Sequence, residues 1–231
     1  MERLDKVIAR ELGYSRNDVK KLIKDRRIMV NDEIVLKSDL KVGEEDKIVV
    51  DGEEIGINKC VYLVLNKPQG YVSATKDGRD VTVLDLVPYE YLHRNLFPVG
   101  RLDKDTTGLM IITDDGEFAH YLLTPRNHIK KMYRVVIDKD ITEEMVKGFR
   151  EGVKLNDGEC KMALLEKIDN RSCYVTLTEG RYHQIKRMFG CYGTKVLELE
   201  RVRMGELDLP KDLERGECRL LKDYERELLQ K

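Results

Sequence analysis

Two carboxylates and two hydroxyls crowd the stretch Asp103-Lys104-Asp105-Thr106-Thr107, which Pro98-Val99-Gly100-Arg101-Leu102 leads into and Gly108 closes. A carboxylate presented on such a turn can attack an electrophilic carbon or phosphorus atom. A guanidinium beside one of these acids would keep it ionised and ready. An apolar run, Leu109-Met110-Ile111-Ile112, follows at once and ends in the turn Thr113-Asp114-Asp115-Gly116. A polar loop that feeds a buried strand is a common place for a reactive side chain.

The remaining chain offers little for metal or redox chemistry. Its cysteines (Cys60, Cys160, Cys173, Cys191 and Cys218) are odd in number, scattered, and form no C-x-x-C pair. That argues against a disulfide scaffold or a zinc site and for a reducing cytoplasm. His93, His120, His128 and His183 form no H-x-x-x-H cluster, so no metal site is expected. No apolar run approaches the length of a membrane span, and Met1-Glu2-Arg3-Leu4-Asp5 does not read as a signal peptide. The expectation is a soluble, cytoplasmic monomer without a membrane partner.

With a net charge of −1 over 231 residues, the total says nothing about a polyanionic partner, but the distribution does. Residues 1–27 hold nine Lys/Arg against five Asp/Glu, residues 28–57 three against nine, and residues 181–203 six against two. Two basic patches in a neutral chain read either as solvated surface or as a phosphate footprint.

The elements that position these residues follow from periodicity. Leu4, Val7, Ile8 and Leu12 have helical spacing, Gly13 stops that helix, and Ser15 with Asp18 forms a capping box for a second one. Val19, Leu22 and Ile23 make its apolar face, while Lys20, Lys21, Lys24, Arg26 and Arg27 lie on other faces or just past its end. Short strands are expected at 28–30, 34–36 and 47–50, and residues 53–59 read as a linker. A larger domain then opens with the strand Val61-Tyr62-Leu63-Val64-Leu65. That strand runs into Asn66-Lys67-Pro68-Gln69-Gly70, a turn with the Lys67 charge at its tip. Further on, helices are expected at 117–123 and from Thr142, and strands at 130–137, 160–165 and 172–177. A loop turns into a basic helix over 179–189, and a surface helix closes the chain at 220–231. Irregular interleaving of this kind predicts an α+β fold with a mixed, mainly antiparallel sheet flanked by helices.

The N-terminal segment resembles the alpha-L RNA-binding motif first seen in ribosomal protein S-four. The likeness is carried by the basic helix, Val30-Asn31-Asp32, and Val42-Gly43-Glu44-Glu45-Asp46-Lys47-Ile48-Val49-Val50. Three further pieces come in order: Lys67-Pro68 with Gly70-Tyr71-Val72-Ser73, Gly100-Arg101-Leu102-Asp103, and Gly180-Arg181-Tyr182-His183-Gln184-Ile185-Lys186-Arg187-Met188-Phe189. Together they resemble the pseudouridine synthases, specifically the ribosomal small-subunit synthase A family, which also carries the alpha-L motif. The resemblance implies an RNA-binding domain at 1–52, the linker at 53–59 and a catalytic domain at 60–231. It implies conversion of uridine to pseudouridine in ribosomal RNA, 16S rather than 23S, with the RNA or an assembling small subunit as partner. The reaction is an isomerisation, so no cofactor is required.

The same resemblance assigns roles to single residues. Asp103 is the nucleophile, Lys186 the cation paired with it, and Tyr133 the ring that stacks on the extruded base and handles the C5 proton. Many relatives carry Arg where this chain has Lys186, and Lys lacks the bidentate fork. Arg101, Lys67, Arg181 and Arg187 are expected to contact RNA, as are Lys20, Lys21, Lys24, Arg26 and Arg27, while His183 is assigned an orienting role in its loop. Two readings of other classes stand beside this one. Asp103-Lys104-Asp105-Thr106-Thr107 also fits the D-x-D-x-T nucleophile motif of haloacid-dehalogenase-type phosphatases, which need Mg²⁺, although here it follows a turn and no later Gly-Asp metal motif is found. A non-catalytic RNA-binding protein would suit the basic N-terminus but leaves the Gly-Arg-Leu-Asp loop without a purpose.

Overall fold

A computed structural model of the chain describes residues 1–43, 45–56 and 60–231. The backbone groups into two compact units, one of residues 1–60 with 88–96, the other of residues 61–87 with 97–231.

In the first unit, helix α1 (Leu4–Leu12) stops at Gly13, whose φ of 69° is easy only for glycine. Helix α2 (Arg16–Lys24) starts at Ser15, whose hydroxyl accepts from the Asp18 N–H while the Asp18 carboxylate accepts from the Ser15 N–H. The apolar faces of both helices close on a four-stranded antiparallel sheet of β1 (Ile28–Val30), β2 (Glu33–Ile34), β3 (Ile48–Val50) and β4 (Glu53–Ile55), in the order β2-β1-β3-β4. Residues 53–55, expected to begin a linker, are therefore a strand. Asp51 and Gly52 both take positive φ, which is the two-residue hairpin turn that brings β4 back alongside β3. The rest of the expected linker, residues 57–59, lies outside the described residues. Residues 88–96 pack with this unit, where Arg94 pairs with Glu11 at 3.5 Å and both side chains are buried.

The second unit is built on a nine-stranded sheet. Its main strands are β5 (Tyr62–Lys67), β6 (Thr107–Thr113), β7 (Lys131–Ile137), β8 (Leu164–Lys167), β9 (Ser172–Leu177), β10 (Val196–Met204) and β11 (Cys218–Leu220). Their order is β8-β9-β7-β10-β6-β5-β11, with short strands at Phe97–Pro98 and Leu207–Asp208 on its flanks. All pairings are antiparallel except β10 with β6, so the sheet is mixed and mainly antiparallel, as the interleaving implied. Strand β6 is buried at every residue, as a central strand covered on both faces must be. Helix α3 (Gly116–Leu123) covers one face through Phe118, Ala119 and Leu122. Helices α4 (Glu143–Glu151) and α5 (Gln184–Gly190) meet through Phe149 and Phe189, whose ring centroids are 4.8 Å apart.

Two expected elements differ. The strand anticipated at 160–165 starts only at Leu164, because Val153 and Phe149 carbonyls take the N–H groups of Cys160 and Ala163 away from the sheet. The closing helix is confined to Asp223–Leu228, since Cys218–Leu220 pairs with β5 as an edge strand.

Candidate active site

The Gly100–Thr107 loop is held in place from beneath by two buried polar side chains. The Ser73 hydroxyl donates to the Leu102 carbonyl at 2.8 Å and accepts from the Leu102 N–H at 3.0 Å, fixing the peptide just before Asp103. Lys67, fully buried at the end of β5, points its ammonium at the carbonyls of Thr106 (2.8 Å), Asp103 (3.1 Å), Pro68 (3.1 Å) and Lys104 (3.3 Å). Burial pushes this ammonium down to about 8, against the partial support of Asp105 and Asp103. Lys67 was expected at the tip of a turn, meeting RNA. It instead serves as an internal clamp, because β5 continues through it into the core, where its ammonium meets three carbonyls of the tight loop.

That clamp leaves the Asp103 carboxylate facing helix α5. Lys186 Nζ lies 2.9 Å from Asp103 Oδ2 and 2.6 Å from Asp105 Oδ1. The shared cation is thus an ammonium, not the guanidinium that the loop's own Arg101 suggested. Burial alone would lower the Lys186 ammonium, but its bonds to Asp105 and Asp103 outweigh it and hold the ammonium above its ordinary value. Burial likewise favours protonating Asp105, and Lys186 reverses that, holding its carboxyl low. His183 adds a second nitrogen, Nε2 at 3.5 Å from Asp103 Oδ1. It holds a left-handed backbone conformation (φ 47°) and stacks on Tyr182 with ring centroids 3.8 Å apart. A non-glycine residue in that region is uncommon and concentrates at functional sites. Sequence reasoning gave His183 only an orienting role, and nothing local signals that its ring reaches the acid.

Asp103 and Tyr133 line one cavity of about 620 Å³. Tyr133 lies mid-strand on β7 and is 9% exposed, opposite Val175 on β9 and Arg201 on β10. Arg101 is exposed and lines the cavity, and among the described residues its side chain has no hydrogen-bond or ion-pair partner. Arg181 and Arg187 are committed within the protein. Arg187 grips Asp157 with two bonds (2.6 and 3.0 Å), and Arg181 donates to the carbonyls of Gly158 and Glu159. Their charge stabilises the hairpin at 154–159 against the start of α5, so these two side chains are not free for RNA as they stand. In the N-terminal unit, Lys20, Lys21, Lys24, Arg26 and Arg27 are all exposed. Arg27 is paired with Asp51, and Lys21 lies 3.9 Å from Asp18. Among the described residues no three His, Cys, Asp or Glu side chains gather as a metal site, and no helix is long and apolar enough to cross a membrane.

An acid bonded to a lysine and a buried tyrosine thus line one cavity on the mixed sheet. Residues 61–190 match the RNA pseudouridylate synthase family and residues 2–48 the S4 domain. The chain belongs to the RNA pseudouridylate synthases, enzymes that isomerise uridine in RNA. It is 40% identical to ribosomal small subunit pseudouridine synthase A of Escherichia coli over 96% of this chain and 97% of that one. It is 39% identical to an uncharacterized RNA pseudouridine synthase of Aquifex aeolicus over 96% and 94%. A crystal structure of a pseudouridylate synthase superposes with a TM-score of 0.70 at 37% identity, covering 99% of this chain and all of that one.

Proposed function

We propose that this enzyme isomerises one uridine of 16S ribosomal RNA, as free RNA or in an assembling small subunit, with Asp103 as the nucleophile. The observation that carries the reading is the Asp103 carboxylate at the cavity wall, 2.9 Å from the Lys186 ammonium. Asp103 attacks C1′ as the N1–C1′ bond breaks, and the electron pair stays with the uracil. The base turns within the cavity, C5 bonds to C1′, and the carboxylate departs. The C5 proton is then lost and N1 is protonated, so the product is an isomer and no cofactor enters. Tyr133, which lines the cavity, gives the extruded base a flat wall, and its hydroxyl handles the C5 proton. Extrusion costs a few kcal/mol, which Arg101 at the cavity edge offsets by filling the gap or holding the distorted backbone.

Residues 1–52 grip the RNA through Lys20, Lys21, Lys24, Arg26 and Arg27, all of them exposed. The protein acts in the cytoplasm as a monomer. The preference for 16S over 23S RNA is supported by the names of its full-length relatives. Mapping pseudouridines in ribosomal RNA from cells lacking the protein tests it: one site in 16S RNA is expected to revert to uridine. Loss of a 23S site alone would reassign the substrate, and loss of none would defeat the reading.

A further inference from the structure

The cavity that holds Asp103 has a second charged feature with no part in positioning it. Arg201 is 2% exposed and is the largest fully buried side chain of the protein. Its Nε donates to the Leu109 carbonyl at 2.7 Å, and one terminal nitrogen reaches only the Met110 sulfur, at 3.9 Å. Sulfur is a weak acceptor. No carboxylate among the described residues pairs with this guanidinium, whereas the other buried arginine, Arg94, is paired with Glu11. Beside it, Lys131 lines the same cavity and bonds only the Ile129 carbonyl, at 3.1 Å. The Lys131 ammonium is pushed down to about 8 by burial and then by Arg201.

Strand register explains why these two cations share the cavity. Tyr133 of β7 is directly opposite Arg201 of β10, so their side chains emerge on one face. Lys131 lies two residues before Tyr133, and Leu199 two before Arg201, all lining the cavity. Gly108 lets β6 close against β10: a Cβ there would stand 2.3 Å from the Arg201 carbonyl oxygen. The contrast with Lys67 is informative. Lys67 is fully buried, and its ammonium bonds three carbonyls of the Asp103 loop and that of Pro68. Lys131 and Arg201 keep donors and a surplus of positive charge beneath the space where a base would lie. Buried charge without a counter-charge is costly and calls for a negative ligand.

We infer that Lys131 and Arg201 form a cationic floor that stabilises the negative charge on the uracil while it is detached from the sugar, through the base's carbonyl oxygens. This rests on the proposed uridine isomerisation. When the N1–C1′ bond opens, the carbon is the electrophile, so the electron pair remains on N1 and delocalises onto O2 and O4. A fixed cation in a dry cavity stabilises such transient charge far more than water would. The charge is returned when C5 bonds to C1′, so the floor favours the transition state over both substrate and product. Arg201 and Lys131 would thus act on the leaving base, while Lys186 acts on the nucleophile.

The test begins with wild-type protein on ribosomal RNA and small-subunit particles from cells lacking it. If no uridine is converted there, the proposed function fails and the floor falls with it. If one is converted, Lys131→Met and Lys131→Arg are compared at saturating enzyme in a single turnover, with affinity and its salt dependence measured in parallel. The inference expects Lys131→Met to lower the saturated rate roughly tenfold or more while affinity stays within about twofold. Lys131→Arg should restore the rate to within about threefold. A transcript carrying 5-fluorouridine, whose base bears negative charge more readily but has no C5 proton to release, is followed by the loss of its N1–C1′ bond instead of by pseudouridine, and that step should fall less in Lys131→Met, about threefold. A saturated rate that is unchanged in Lys131→Met overturns the inference. So does weakened affinity with a flatter salt slope and an intact rate, which would make Lys131 a phosphate clamp. Arg201→Lys is the companion variant, and because Lys131 is only half-buried its variants carry the test even if that fully buried substitution fails to fold.

Discussion

Lys186 and Asp103 lie 83 residues apart in the chain and meet with Nζ 2.9 Å from Oδ2. The same ammonium is 2.6 Å from Asp105. Asp105 is mostly exposed, while the side chain of Asp103 is only a quarter exposed and faces the cavity. The two acids share a cation but not an environment, and of the two only Asp103 lines the cavity. Asp103→Asn is therefore expected to lower single-turnover pseudouridine formation by on the order of a thousandfold or more, with RNA affinity kept. Asp105→Asn should cost only about threefold, because Lys186 retains its bond to Asp103.

Lys186 is expected to be replaceable in charge but not in its absence. Lys186→Met should reduce the rate by on the order of a hundredfold, and Lys186→Arg should recover most of it. A rate for Lys186→Met equal to wild type would show that Asp103 needs no cation.

Lys67 gives a stability prediction with a defined sign. Lys67→Met removes the ammonium bonded to the Thr106, Asp103, Lys104 and Pro68 carbonyls, of which Asp103 keeps the Thr106 N–H and Lys104 the Gly70 N–H, and should destabilise the fold by about 3 kcal/mol at pH 7. The folded ammonium titrates near 8 against an ordinary 10.5. Between those values the unfolded chain holds a proton that the folded one has lost, so unfolding free energy rises with pH across that window. Urea unfolding at several pH values should show this rise in wild type and its loss in Lys67→Met.

Gly108→Ala should be among the most damaging single changes. The added carbon would meet the Arg201 backbone oxygen at 2.3 Å, at a residue whose φ is +99°. The neighbour is backbone and cannot swing aside, so a loss of about 3 kcal/mol or more is expected in thermal or urea unfolding.

The N-terminal cations predict a salt signature. Lys20→Ala with Lys24→Ala removes two exposed charges from α2 without touching its Val19, Leu22 and Ile23 face. The slope of log affinity against log salt should flatten by roughly one to two, and the saturated rate should hold. An unchanged slope would take the gripping role away from this helix.

Turnover in EDTA separates isomerisation from the D-x-D-x-T phosphatase reading. Pseudouridine formation should persist at about its full rate under chelation, whereas a Mg²⁺-dependent phosphoryl transfer would stop.

Much of the architecture was legible because its causes are local. The Ser15–Asp18 capping box, the stop at Gly13, and the apolar run of β6 behind a polar loop all depend on residues within a few positions of each other. The family resemblance assigned roles to Asp103, Lys186 and Tyr133, and the structure brings Asp103 to Lys186 and to the cavity that Tyr133 lines. What the sequence could not decide was the fate of each charge. Read along the chain, Lys67, Lys131, Arg181, Arg187 and Arg201 are alike: basic residues near turns or strands, by default solvated. Their roles depend on which strand crosses beside them. The β5–β6 pairing buries Lys67 under its loop, and Asp157 takes up Arg187. The pairings of β10 with β7 and β6 place Arg201 at the cavity, where no carboxylate among the described residues pairs with it. Hydrophobic periodicity is a short-range code, whereas the energy of a buried charge depends on every polar group that tertiary packing brings near it.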